Sequence, residues 1–321
     1  NLYMSLLINI IILIVSAIVL AISGSILVKS LSKLARFLRV SEYVIAFILM
    51  AFATSLPELF VGITSAINKT SELSLGTVIG SNIANITLVM GIVALLGRSI
   101  KIKEKSIVKD SVYMFIIALI PLFLMIDKTL SRLDGAILLV VFIFYIYKLL
   151  KRKDSVNKNH KHTPIHYTEL FLNLGKFLGS LLLLLVSAEF IVRYAQFISI
   201  DLNIPTILIG LFLVAIGTSL PELIFETKAI LSKHKEMALG NIMGSVVANS
   251  TAVLGVTALI HPITTEFSVF IISALFMIVS IAIFITFIIS HNTLSWREGI
   301  ALLMLYLLFI FVEFYIRGLT S

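Results

Sequence analysis

The sequence predicts an all-α membrane protein, with ten transmembrane helices arranged as two inverted five-helix repeats. Three observations predict it. First, 59% of the 321 residues are hydrophobic and only 13% are charged, with a mean hydropathy of +1.10. A soluble domain carries roughly 25% charged residues, so water is not the main solvent of this chain. Second, the apolar residues gather into ten long runs. Third, the sequence repeats itself at an offset of 164 residues.

A helix needs about 20 apolar residues to cross the hydrocarbon. The ten expected spans are 6–28, 43–67, 73–97, 107–126, 133–150, 167–195, 206–231, 237–260, 266–290 and 296–316. Most connections are short. The polar stretch 151–166 is the longest, and it divides the chain into a first half (1–152), a linker (153–165) and a second half (166–321). The N-terminal apolar stretch is too long for the h-region of a cleavable signal peptide, so none is expected.

Lys and Arg set the orientation. The loops after odd-numbered spans hold 19 of them, and the loops and ends on the opposite side hold 5. The positive side is cytoplasmic. The expectation is a multi-pass protein of the cell membrane with both termini extracellular and the linker 153–165 cytoplasmic. The net charge of +8 comes from these short loops, which argues against nucleic-acid binding. The chain has no cysteine, which excludes disulfides and thiolate metal sites.

The repeat is specific. Ala51-Phe-Ala-Thr-Ser-Leu-Pro-Glu-Leu59 falls on Ala215-Ile-Gly-Thr-Ser-Leu-Pro-Glu-Leu223, and Gly76-Thr-Val-Ile-Gly-Ser-Asn-Ile-Ala-Asn85 falls on Gly240-Asn-Ile-Met-Gly-Ser-Val-Val-Ala-Asn249. From 51 to 95 no gap is needed, and 20 of 45 positions are identical. Apolar helices match one another by composition, but Thr, Ser, Pro, Glu, Gly and Asn do not. Five spans separate the copies, so they have opposite orientations. Inverted repeats of this kind build secondary transporters, with the ion site near the midplane at the repeat interface.

The chemistry of these segments suits a hard cation. Glu58 and Glu222 each lie deep in an apolar span, where a charge costs roughly 2.5–3.5 kcal/mol or more. No Lys or Arg lies at that depth to compensate, so a bound cation or protons must. Pro57 and Pro221 cannot donate to the carbonyls four residues earlier, and they bend their helices. Thr54 and Ser55, with Thr218 and Ser219, lie one turn before each Glu. Gly76/Gly80 and Gly240/Gly244 let helices approach closely, with Ser81/Asn85 and Ser245/Asn249 on one face of each. Carboxylate, hydroxyl, amide and carbonyl oxygens select Ca2+, Na+ or Mg2+ over zinc or copper. Two carboxylates with neutral oxygens reach the about 6–8 ligands of Ca2+ better than the strict octahedron of Mg2+.

These segments closely resemble the two α-repeats of the Ca2+/cation antiporter superfamily, above all its prokaryotic sodium/calcium exchangers. The signature is Gly/Ala-Thr-Ser-Leu-Pro-Glu-Leu followed by Gly-x-x-x-Gly-Ser-x-x-x-Asn, present here at 51–86 and 215–250. The resemblance implies exchange of Ca2+ for Na+ by alternating access. It assigns Ca2+ to Glu58, Glu222, Thr54 and Thr218. It assigns Na+ to Ala51, Ser55, Ser81 and Glu58, and to Ala215, Ser219, Ser245 and Glu222, with Asn85 and Asn249 completing the site. Ca2+ and Na+ are then the cargo, no organic cofactor is needed, the bilayer is the partner, and a monomer suffices. Three positions depart from the pattern: Ala53 for the commoner Gly, Val246 opposite Asn82, and Asn249 where potassium-dependent relatives carry Asp. The last argues against K+ co-transport and leaves two carboxylates in the cluster.

Each feature has a plainer reading. Gly pairs alone mean packing, serines in helices usually bond their own carbonyls, and asparagines glue helices. A symmetric Glu pair, each behind Thr-Ser-Leu-Pro, is not explained that way. Glu189 is expected to pair with Arg193. Glu226, one turn beyond Glu222, is expected to pair with Lys228 or Lys233, or else to serve as a carboxylate in a cytoplasmic vestibule. His160, His162 and His166 are expected to be solvated in the linker. The runner-up function is H+/Ca2+ antiport, with protons on Glu58 and Glu222. A cation channel fits less well, as does an intramembrane carboxylate enzyme, because both repeat cores lack His, Cys and Asp.

Overall fold

The computed structural model describes residues 2–37, 54–101, 105–151, 167–232, 235–265, 267–291 and 293–318. The expected linker 153–165, with its three histidines, and the first part of the span 43–67 lie outside them. Every major element is a helix, as the apolar runs require. Among the described residues, eight helical stretches are long and apolar enough to cross a membrane.

Helix α1 (Leu2–Phe37) opens the chain. The next, α2 (Leu56–Ile67), is short, with Pro57 in its first turn where a missing N–H costs nothing. Then α3 (Ser71–Ala84) passes through a π-turn at Asn85–Val89 into α4 (Met90–Gly97). A short strand β1 (Ser99–Lys101), α5 (Lys105–Leu124), β2 (Thr129–Leu130) and α6 (Arg132–Lys151) complete the first half.

The second half follows the same plan. It begins with α7 (Tyr167–Leu202), α8 (Thr206–Ile209), a π-turn at Gly210–Val214, and α9 (Ala215–Thr218). Next come α10 (Leu220–Leu231), α11 (Lys235–Ala248), a π-turn at Asn249–Val253, and α12 (Leu254–Ile260). Strand β3 (Ile263–Thr264), α13 (Phe267–His291), β4 (Thr293–Ser295) and α14 (Trp296–Gly318) end the described chain. Two π-turns thus begin at residues 164 apart, Asn85 and Asn249.

The repeat carries into the packing, and contacts cross between the halves. A Cβ on Gly91 would lie 3.0 Å from the Gly299 carbonyl, and one on Gly255 would lie 3.0 Å from the Gly135 carbonyl. Gly91 and Gly255 are 164 residues apart, and so are Gly135 and Gly299. Backbones therefore touch at both crossings, α4 on α14 and α12 on α6, as small residues permit. The short strands behave alike: β1 pairs antiparallel with β4, and β2 with β3. These two ladders tie residues 99–101 to 293–295, and residues 129–130 to 263–264. Each tie joins connections that the expected topology puts on the same side.

Burial separates a centre from a periphery. Over 18 apolar residues within Ser71–Gly97 and Met237–Ile260, 83% and 89% of the positions are buried, against 33% within Leu6–Leu27 and 22% within Glu169–Leu202. The repeat motifs therefore sit in the middle. The long helices α1 and α7 pack on each other at the edge and present Leu, Ile and Phe outward. At 1.5 Å per residue their 36 residues span about 54 Å, well beyond the ~30 Å hydrocarbon core.

Candidate cation site

The sequence breaks two helices at the same place. At Ser55 (φ −84°, ψ 3°) and Ser219 (φ −82°, ψ 0°) the helix is interrupted by a one-residue turn just before Leu-Pro-Glu. Beyond each break Pro sits in the first turn of α2 or α10, followed directly by Glu58 or Glu222.

Two hydroxyl pairs join the halves across this centre. Thr54 Oγ1 and Ser245 Oγ are 3.0 Å apart, and Ser81 Oγ and Thr218 Oγ1 are also 3.0 Å apart. Thr54 and Thr218 are offset by 164 residues, as are Ser81 and Ser245, so the repeat exchanges one bond for the other. The Ala215 carbonyl accepts from Thr218 Oγ1 at 3.2 Å and from Ser81 Oγ at 3.4 Å. Thr218 and Ser81 lie beside the Glu58 carboxyl, and Thr54 lies beside Glu222. Glu222 is within electrostatic reach of both Glu58 and Glu226.

Close helix approach makes this possible. A Cβ on Gly76 would lie 2.0 Å from the Ile207 carbonyl oxygen, and one on Gly80 would lie 2.1 Å from that of Leu211. Only glycine lets α3 rest on the backbone of α8 and its π-turn, and this places Ser81 against Thr218.

Polar atoms without partners mark the site. Glu58 and Glu222 are completely buried. Among the described residues, none of their four carboxyl oxygens has a hydrogen-bond partner, and neither has Ser55 Oγ, Ser219 Oγ, Asn249 Oδ1 or either polar atom of the Asn85 amide. Among the described residues, twelve buried side-chain polar atoms lack partners, and eleven of them lie on the two repeat segments, Ser280 Oγ being the other. Buried polar groups are normally satisfied, and each orphan costs about 1–3 kcal/mol, more when charged. Such a concentration of oxygens suits a positively charged ligand.

The structure thus brings together Thr54, Ser81, Thr218, Ser245, Glu58, Glu222 and the Ala215 carbonyl. Ser55, Ser219, Asn85 and Asn249 are buried in the same segments. Ala51 lies outside the described residues, as does Ala53. Three residues fall outside the expected set. Asn82 accepts from Asn249 Nδ2 at 3.2 Å and donates to Ser250 Oγ at 2.9 Å, fixing the Asn249 side chain. Asn241 and Glu226 bond each other at 2.7 Å. Asn241, Ser245 and Asn249 form an i, i+4 stripe, mirrored by Thr77, Ser81 and Asn85, and that spacing is the signal for Asn241.

Two expectations need correction. Glu226 makes its bond to Asn241, not to Lys228, and it is fully buried, so it does not stand in a wet vestibule; Lys233 lies outside the described residues. The helical register turns Glu226 inward with Glu222. Glu226 is thus a further buried carboxylate within electrostatic reach of Glu222, while the cluster itself keeps two carboxylates. Glu189, by contrast, pairs with Arg193 at 3.2 Å as expected, on the exposed face of α7.

The sodium/calcium exchanger protein family model matches residues 8–151 and again 172–315. The chain belongs to that family. The two matches are themselves offset by 164 residues. Among relatives, sodium/calcium exchanger MaX1 of Methanosarcina acetivorans is 29% identical over 96% of this chain and 99% of its own. The putative antiporter CaxA of Alkalimonas amylolytica is 32% identical over 80% of this chain and 82% of its own. The sodium-calcium exchanger NCX_Mj, in crystals soaked with Na+ and Sr2+, superposes with a TM-score of 0.67 at 27% identity, over 95% of this chain and 98% of that one. The chain is a multi-pass membrane protein of the exchanger type.

Proposed function

We propose that this exchanger carries Ca2+ across the membrane in exchange for Na+, by alternating access at one site between two inverted five-helix halves. The observation that carries the reading is the pair Glu58 and Glu222, both fully buried with no partner for any carboxyl oxygen among the described residues. The family gives the reaction type, and the two carboxylates give the charge that Ca2+ needs.

On this reading Ca2+ binds Glu58 and Glu222 with the hydroxyls or carbonyls of Thr54 and Thr218. Sodium ions bind the same carboxylates with Ala51, Ser55 and Ser81, and with Ala215, Ser219 and Ser245. Asn85 and Asn249 close the shell. The two cargoes compete for one pair of charges. A vacant site with two charges resists moving through the membrane core, whereas a filled one is neutralised, and this enforces exchange.

Ten spans are reached by adding α6 and the segment ending in α2 to the eight long stretches. The halves are 1–152 and 166–321, with 153–165 a cytoplasmic linker and both termini outside. Support for the inverted arrangement comes from contacts that the 164-residue offset exchanges: two hydroxyl bonds and two glycine crossings.

The test is uptake of radiolabelled Ca2+ into proteoliposomes with an outward Na+ gradient, an outward proton gradient, or none. Uptake driven by Na+ alone is expected. Uptake driven only by protons would establish H+/Ca2+ antiport instead, and equal, non-saturating uptake in all three would establish a channel.

A further inference from the structure

Glu226 is a buried carboxylate that the exchange just described does not use. It lies one turn beyond Glu222 on α10, about 6 Å further along the helix. Its Oε1 accepts from Asn241 Nδ2 at 2.7 Å. Its Oε2 has no partner among the described residues, and neither has Asn241 Oδ1. Asn241 is only 3% exposed and Glu226 not at all. The same Asn241 Nδ2 is 3.5 Å from Thr54 Oγ1, so the pair borders the main site.

The feature exists in one half only. The positions 164 residues earlier are Gly62 and Thr77. Thr77 bonds back to the Leu73 carbonyl at 2.8 Å, and a Cβ on Gly62 would lie 2.6 Å from Thr257 Oγ1. The first half has therefore filled the equivalent space with its own packing. The second half has put a carboxylate there and given it a single neutral donor.

Both orphaned atoms are oxygens. A carboxylate oxygen and an amide oxygen without donors call for a positive ligand; hard oxygens suit a hard cation, and the single negative charge is balanced by a monovalent one. No group of three or more His, Cys, Asp or Glu among the described residues converges closely enough to hold one metal ion. Glu226 therefore stands beside the Glu58–Glu222 pair rather than in its ligand shell.

We propose that Glu226 and Asn241 form an asymmetric subsite for a hard monovalent cation, sodium, next to the Glu58–Glu222 pair. The proposal rests on the sodium-coupled exchange described above. The ion held there neutralises a charge that would otherwise cross the membrane core unpaired. It also makes the two halves inequivalent, because sodium gains a site that calcium does not share.

The test compares wild type with Glu226→Gln and Asn241→Ala in proteoliposomes, in Na+-driven Ca2+ uptake and in Ca2+/Ca2+ exchange. Binding of radiolabelled Na+ to each purified protein is measured alongside. The Na+ concentration for half-maximal uptake is expected to rise about tenfold in Glu226→Gln, equivalent to ~1.4 kcal/mol. Its Na+-driven rate should fall about tenfold further than its Ca2+/Ca2+ rate, and it should bind one Na+ fewer. Asn241→Ala should shift in the same direction by less. Equal losses in both transport modes, or unchanged Na+ binding, would overturn the subsite. If wild type shows no Na+-driven uptake, the exchange reading has failed, and the binding comparison still decides the subsite.

Discussion

Replacing Gly80 with Ala tests how the site is held together. Its new Cβ would lie 2.1 Å from the Leu211 carbonyl oxygen and 2.7 Å from Ala215 Cβ. An ordinary carbon–oxygen contact is about 3.3–3.6 Å, so the helices must part by more than 1 Å. The obstacle is backbone, which cannot rotate away as a side-chain tip can. Overpacking costs typically ~1–3 kcal/mol, and this clash belongs at about 3 kcal/mol. Separation by that amount also pulls Ser81, the next residue, away from Thr218, now 3.0 Å distant. The thermal midpoint in detergent should fall by roughly 5 °C or more, and Na+-driven Ca2+ uptake should be nearly lost. Gly179→Ala is the matched control. No atom lies within 4 Å of its Cβ position, and Ala is a better helix former than Gly by about 1 kcal/mol. A Gly80→Ala protein with wild-type stability and flux would refute the claim that backbone contact at Gly80 builds the site.

Other outcomes follow from the same geometry. Glu58→Gln or Glu222→Gln keeps the shape but removes a charge from the buried pair, so Na+-driven uptake should disappear while the protein still elutes as a folded species; substantial flux in either variant would remove the pair from the site. Asn157→Cys introduces a unique thiol in the linker, and an impermeant reagent should label it only after sealed cells are opened; labelling from outside would invert the proposed topology. Arg193→Ala breaks an ion pair whose side chains are 60% and 41% exposed, so the loss should stay under about 1 kcal/mol; a larger drop in thermal stability would show that this pair holds α7 in place.

The repeat was the legible part of the sequence because it is written in residue types that apolar composition does not supply. Thr, Ser, Pro, Glu and Asn recur at fixed spacing, and the structure buries them in the two central repeat segments. The helix breaks before Pro57 and Pro221 could be read from a missing N–H. The π-turns at Asn85 and Asn249 could not, since an extra residue in a helical turn leaves no mark in a hydrophobic pattern. Asn82 stood out only as the residue opposite Val246, with no role attached, and Asn241 was passed over. Their counterparts are Val246 and Thr77, and an argument from symmetry assigns no role where symmetry fails. Glu226 was visible, but its side chain's direction depends on how α10 sits against α11. Sequence spacing put it on the face of Glu222 without revealing that the face is sealed.

The polar contacts at the centre divide into those the repeat exchanges and those it does not, and the division bears on mechanism. Thr54–Ser245 and Ser81–Thr218 map onto each other. If the halves trade conformations during exchange, each bond turns into its partner, and the pair costs the same facing either way. Such bonds can hold the site together throughout the cycle without favouring one face. Asn82–Ser250 and Glu226–Asn241 have no counterpart, because residues 246, 86, 62 and 77 are Val, Ile, Gly and Thr. A trade of conformations places these bonds in different surroundings in the two states. A ligand biases a two-state equilibrium only by its differential affinity for the states, and a contact biases it only if it differs between them. On the proposed mechanism, the inward–outward balance is therefore set by the asymmetric contacts, while the symmetric ones set the affinity for cargo. Substitutions at Asn82, Glu226 or Asn241 should then change apparent affinity unequally on the two faces, and substitutions at Thr54 or Thr218 should change it alike on both.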